Sequence, residues 1–281
     1  MIEQTATRRQ RNRLLEYLLK CLKAHSPYRR GRWIDVLVVP QQGVYDKCTK
    51  KFHCEYADRG VYRKHLQEVP NVTAYWRCNC VGLTGGRTQK AVPDVSEAQG
   101  AMDLFCEMGL DIALRRERTI LEEHALDSVE NLIFTLMLTR VTFPRVPIGQ
   151  VVVWPAWSFK TKRFNLAARA LGILEQTYLC GGYGPEAASD SELAAKGEKD
   201  QLAQMLSGND PLLLGAQWER KRRDRYQGRS YEQRLDHLRP SFPGCFAALD
   251  RMRMAGTTPD ALAEFQEFFR AEVMAGGGPQ F

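Results

Sequence analysis

The longest near-continuous apolar runs in this chain, Leu132–Leu138 and Val151–Trp157, are the length of a core helix or strand. They fall well short of the roughly 18–20 apolar residues that cross a bilayer. A membrane span is therefore not expected, and the interior has to be assembled from short elements. The 281 residues suffice for one large core or two of ordinary domain size. A hydrophobic content of 44% beside 26% charged residues is a globular balance, which argues against wholesale disorder.

Charge is distributed unevenly. Residues 1–32 contain nine Lys or Arg and two Asp or Glu, so this arm alone accounts for the formal net charge of +7. Arg8, Arg9, Arg11 and Arg13 lead into an amphipathic helix carrying Leu14, Leu15, Leu18, Leu19 and Leu22, closed by Ser26-Pro27. The start lacks the apolar stretch of a secretory signal, although an Arg-rich amphipathic segment also suits an organelle transit peptide. The expectation is a cytoplasmic chain whose eight cysteines are buried, metal-bound or free rather than disulfide-linked. Cys21, Cys106, Cys180 and Cys245 stand singly among apolar residues and read as core.

Trp33–Val39, ended by Pro40, reads as a buried strand. The irregular stretch from Gln41 to Arg87 suggests a short helix at Val61–Val69 and a strand at Asn71–Cys78, with a turn at Thr84-Gly85-Gly86. Ser96 with Gln99 forms a capping box for a helix that runs on toward Leu126, and Ser128 caps another. Val151–Trp154 is a second short strand. Lys162–Leu179 reads as a helix stopped by Cys180-Gly181-Gly182-Tyr183-Gly184-Pro185. Asp190 or Ser191 opens a helix ending at Ser207-Gly208. Asp210-Pro211 and Thr258-Pro259 each look like an N-cap followed by proline at the first helical position. The fold class expected is α+β and predominantly helical, with a small strand-containing Cys-rich N-terminal part followed by a helical C-terminal part. Weak boundaries divide a basic arm (1–32), a Cys-containing α+β region (33–147) and a helical region (148–281), which together could form one domain.

Two pairs of soft ligands, Cys48 with Cys54 and Cys78 with Cys80, could close a structural tetrahedral zinc site, with His53 or His65 as substitutes. The C-x5-C and C-x-C spacings differ from the two-to-four-residue pairing usual in zinc knuckles, so a cluster of reduced thiols is the competing reading. His53-Cys54-Glu55 has the letters of the H-x-E half of a zinc deaminase site. Arg77-Cys78-Asn79-Cys80 lacks the proline and two-residue gap of the other half. Gly82-Leu83-Thr84-Gly85-Gly86-Arg87-Thr88 lacks the order of a phosphate loop, and Gly181-Gly182-Tyr183-Gly184 reads as a helix C-cap.

The basic segments point to polyanions. Arg220, Lys221, Arg222, Arg223, Arg225 and Arg229 lie on or just beyond one helix, where Arg222, Arg225 and Arg229 share a face if the helix persists. Lys160, Lys162 and Arg163 add a second cluster, and Arg29 and Arg30 extend the N-terminal arm. Arginine forks grip phosphate, and nearby aromatic rings stack bases. Acidic neighbours at Glu219, Asp224, Glu232 and Asp236 offer the competing explanation of self-paired helix charges. His25, His53, His65, His124 and His237 are too scattered to define a catalytic group. The function expected is binding of DNA or RNA, alone or as a subunit of a nucleoprotein complex, with structural zinc as the possible cofactor and no membrane partner. The alternatives are a hydrolase acting on nucleic acid, either zinc-dependent or metal-free with His237 beside nearby arginines, and a protein-assembly or interaction subunit.

Overall fold

Seven residues from Ile34 to Pro40 form the central strand β1, and all but one are buried. Such unbroken burial belongs to a strand covered on both faces. β1 pairs in parallel with β4 (Cys80–Thr84), from Val36 beside Cys80 to Pro40 beside Thr84. On its other edge it pairs in parallel with β6 (Ile148–Val153). β5 (Thr119–Glu122) adds to β4 and β7 (Tyr178–Cys180) to β6, again in parallel. The sheet order is β5-β4-β1-β6-β7. A short antiparallel hairpin, β2 (Val44–Asp46) with β3 (Lys51–His53), follows β1. A computed structural model describes residues 33–41, 43–53, 59–110, 118–157, 160–183, 192–225 and 235–275.

This corrects the α+β expectation: the protein is α/β, built on a five-stranded parallel sheet whose strands alternate with helices along the chain. β6 lies beside β1, so the 33–147 and 148–281 regions share one sheet. Residues 33–281 cluster as one compact unit. The expected strand at Asn71–Cys78 is the end of helix α1 (Arg59–Tyr75) and a turn. The helix capped by Ser96, α2 (Glu97–Glu107), is shorter than expected, and β5 occupies part of the stretch expected to continue it. Lys162–Leu179 divides into α4 (Thr161–Ala170), a 3-10 turn and β7. The glycines after Cys180 therefore leave a strand and do not cap a helix.

Right-handed crossovers that step from β1 to β4 and β5 must lie on the opposite face from one that steps from β6 to β7. Alternation along the strands agrees. Ile34, Val36, Val38, Cys80, Ile120, Val151 and Val153 share one apolar cluster with α3 (Ser128–Thr142) and α4. Leu37, Val39, Val81, Leu83 and Val152 take the alternate positions, and they too are buried. Helix α3 is buried almost all round because later helices cover its outer side. Asp127, not Ser128, caps it, accepting from the Val129 and Glu130 amides. Ser96 does cap α2, though the Gln99 side chain turns to Asp103 instead of closing the box.

The remaining helices are α5 (Glu192–Leu206), α6 (Ala216–Arg225), α7 (Pro243–Ala255) and α8 (Pro259–Phe268), the last extended by a π-turn through Met274. Thr258 caps α8 as its sequence predicts. Asp210 instead folds a loop, accepting from the Leu214 and Gly215 amides. Buried Arg140 of α3 donates to the Val146 and Val273 carbonyls, and Glu272 accepts from the Gly244 and Cys245 amides at the start of α7. Polar side chains thus fix the C-terminal helices to the sheet layer. Among the described residues no helix is long and apolar enough to cross a membrane.

Candidate ligand crevice at the carboxyl edge of the sheet

All five strands end on the same edge, and their order reverses between β1 and β6. At such a reversal the two outgoing connections part toward opposite faces, and in open parallel sheets ligands bind in the gap this leaves. The residues gathered at this reversal come from four segments distant in sequence. Gln41 follows β1, Tyr62 and His65 stand on α1, Trp154 follows β6, and Tyr183 lies beyond β7.

Gln41 is anchored on both ends of its amide. Its Nε2 donates to Val39 O at 2.7 Å, and its Oε1 accepts from the Tyr62 hydroxyl. Tyr62 packs between Phe52, at 4.4 Å between ring centroids, and His65, at 6.2 Å. His65 in turn faces Tyr183 at 6.3 Å. The His65 ring is fully buried, with Nε2 lying 2.9 Å from Trp154 O. A carbonyl only accepts, so Nε2 carries the proton and Nδ1 presents a lone pair. Among the described residues that Nδ1 has no hydrogen-bond partner. Burial pushes the His65 pKa down to about 4, keeping the ring neutral at physiological pH.

Trp154 is the second unusual member of the group. Its backbone N–H donates to Val38 O, tying the end of β6 to β1, while its indole Nε1 is buried and has no hydrogen-bond partner among the described residues. Its ring covers Gly181, where a Cβ would come within 2.9 Å of it, so this approach requires glycine. Tyr183 N–H donates to Pro155 O, bringing the loop after β7 back across β6.

A polar cluster occupies the neighbouring strand ends. Fully buried Glu122, closing β5, accepts from Thr84 Oγ1 at 2.5 Å and from the His124 and Ala125 amides at 2.7 and 3.0 Å. Burial pushes its pKa up to about 7 against the pull of those hydrogen bonds, and the charge of Glu130 adds to the rise. The Gly85 and Gly86 amides donate to Glu122 O and Ala125 O. The protein itself thus uses the N–H groups that a phosphate would need.

The predicted site residues are dispersed. Arg222 is buried, bridging Asp127 at 2.5 Å and Glu130 at 3.0 Å, and Arg225 donates to Leu126 O. Burial works against ionisation of Asp127, but the Arg222 guanidinium, the Glu130 amide and the charge of Arg163 together outweigh it and hold this carboxyl below its ordinary range. Arg163 is buried and donates to Gln201, and Lys221 lies over the Trp218 ring. Arg220, Arg223 and Lys162 are exposed, while Lys160 is half-buried. Arg8, Arg9, Arg11, Arg13, Arg29, Arg30 and Arg229 lie outside the described residues, as does Cys54. Cys48 is exposed in the hairpin turn, whereas Cys78 and Cys80 are buried at the start of β4. Among the described residues no group of three or more His, Cys, Asp or Glu side chains is placed to hold a metal ion.

Compared with known proteins, the chain matches no family profile, no curated sequence and no solved structure. The sequence gives no site role to the crevice residues Gln41, Tyr62, Trp154 and Tyr183, and it offers His65 as a substitute zinc ligand and as one of five scattered histidines. Their available signal was positional: Gln41 and Trp154 each follow a short β-branched run that precedes a helix.

Proposed function

We propose that this chain binds a small planar organic molecule at the crevice where the strand order reverses. The observation that carries the reading is the convergence of Gln41, Tyr62, His65, Trp154 and Tyr183 on that one place from four separate segments. Aromatic walls with a few fixed polar groups are the usual lining of small-molecule sites. Fold alone would not license this reading, because doubly wound sheets serve many functions; the side chains at the reversal do. Trp154 and Tyr183 are its half-exposed members and provide the way in.

The test is a thermal-shift and equilibrium-binding screen of planar heterocycles, run beside labelled DNA and RNA over a salt series. Stabilisation by planar compounds, weakened about five- to tenfold in Tyr183→Ala through lost ring contact, supports the crevice. No response to any compound, with nucleic-acid binding that falls steeply with salt, would overturn it. Function would then pass to the basic residues, of which Arg220, Arg223 and Lys162 face solvent.

A further inference from the structure

Among the described residues, two side-chain atoms at the switch point, on His65 and Trp154, lack hydrogen-bond partners, and they are chemically opposite. His65 Nδ1 is a lone-pair acceptor, because Nε2 donates its proton to Trp154 O at 2.9 Å. Trp154 Nε1 carries a hydrogen and only donates. The hydrogen bond between these residues sets the acceptor and donor in one part of the fold. A buried polar atom left unsatisfied costs stability, and native proteins keep few of them without a reason. Here two of opposite kind belong to residues joined by the hydrogen bond from His65 to the Trp154 carbonyl, beside the reversal of a parallel sheet.

We infer that the crevice reads a donor–acceptor edge: the ligand donates a hydrogen bond to His65 Nδ1 and accepts one from Trp154 Nε1. This rests on the crevice being a ligand site, and it names the ligand class as neutral planar amides, lactams and aminoazines. A carboxylate offers His65 no donor, and a quaternary cation offers neither atom a partner. Gln41 contributes positioning: with its amide engaged by Val39 O and the Tyr62 hydroxyl, it holds the Tyr62 ring against that of His65. The low basicity of buried His65 keeps Nδ1 an acceptor throughout the neutral range.

The experiment uses three probe pairs in which N-methylation removes the donor: 2-pyridone with N-methyl-2-pyridone, benzamide with N,N-dimethylbenzamide, and 2-aminopyridine with 2-dimethylaminopyridine. Binding to the full chain is followed by nitrogen NMR of the five indole N–H groups and the histidine rings, with Trp154→Phe assigning the Trp154 signal. The donor-bearing member of each pair should bind about tenfold more tightly. It should move the Trp154 Nε1 and His65 Nδ1 signals together. Trp154→Phe should lose about tenfold in affinity for these probes while the other four indole signals stay in place, which shows that the fold survives. Equal binding within each pair would overturn the edge reading and leave the crevice standing. If His65 Nδ1 already shows a hydrogen-bonded signal that no probe moves, an internal water satisfies it and the edge reading is again overturned. If no probe binds or shifts either signal, crevice and edge fall together.

Discussion

At position 222 the chain buries an arginine that its sequence advertises as a phosphate contact. Arg222 belongs to a run of five basic residues in six, and nothing in that run distinguishes it from Arg220 or Arg223. Its partners, Asp127 and Glu130, lie more than ninety residues earlier, at the start of α3. Sequence reasoning had only local acids to weigh against phosphate, so a remote buried pair was beyond it. The consequence is measurable by chemical denaturation. Arg222→Ala leaves buried Glu130 and partly buried Asp127 without this cation and should cost about 3–5 kcal/mol. Arg223→Ala, at an exposed position, should change stability by no more than about 0.5 kcal/mol. Equal effects at the two positions would show that Arg222 does not hold α6 to α3.

Elements were legible where a side chain closes its own helix. Ser96 and Thr258 do so, and Trp33–Val39 is a strand almost as its composition predicts. Strands of three to five residues were not, because β5 and β7 are too short to show a period and continue from residues that also suit helices. The strand count, and with it the α/β class, was lost there. Close packing between elements left another mark. At Gly82 of β4 an added Cβ would run into the Thr135 methyl group of α3. Gly82→Ala should therefore destabilise by about 1–3 kcal/mol through overpacking. Thr135→Ser removes that methyl while retaining the hydroxyl that donates to Asn131 O, so the double variant should recover most of the loss. A double variant no more stable than Gly82→Ala would place the strain elsewhere.

For the whole molecule, Glu122 and His65 pull the pH dependence of stability in opposite directions. Glu122 rises from an ordinary 4.5 to about 7, so the folded state holds a proton that the unfolded chain has released, and stability falls as pH rises between those values. His65 drops from 6.5 to about 4, so here the unfolded chain binds the proton, and stability rises over that range. Each amounts to about 3 kcal/mol. From about pH 4.5 to 6.5 they cancel and the protein should show a plateau. Glu122→Gln should uncover a rise of about 2 kcal/mol across that window in unfolding free energy; an unchanged plateau would deny Glu122 its high proton affinity. Asp127, whose carboxyl lies below its ordinary range, adds stability above that range that is lost only under stronger acid. The crevice was illegible for the same reason at larger scale, since Gln41, His65, Trp154 and Tyr183 meet only once the sheet is assembled.

The position of β1 also matters during synthesis. Its neighbour on one side begins at Cys80, but its neighbour on the other begins only at Ile148. Until the ribosome has released that later segment, this apolar strand presents an open edge of unpaired amides and carbonyls. The nascent chain therefore passes through a long interval in which its future centre is its most adhesive surface, the stage at which a chaperone has the most to offer it.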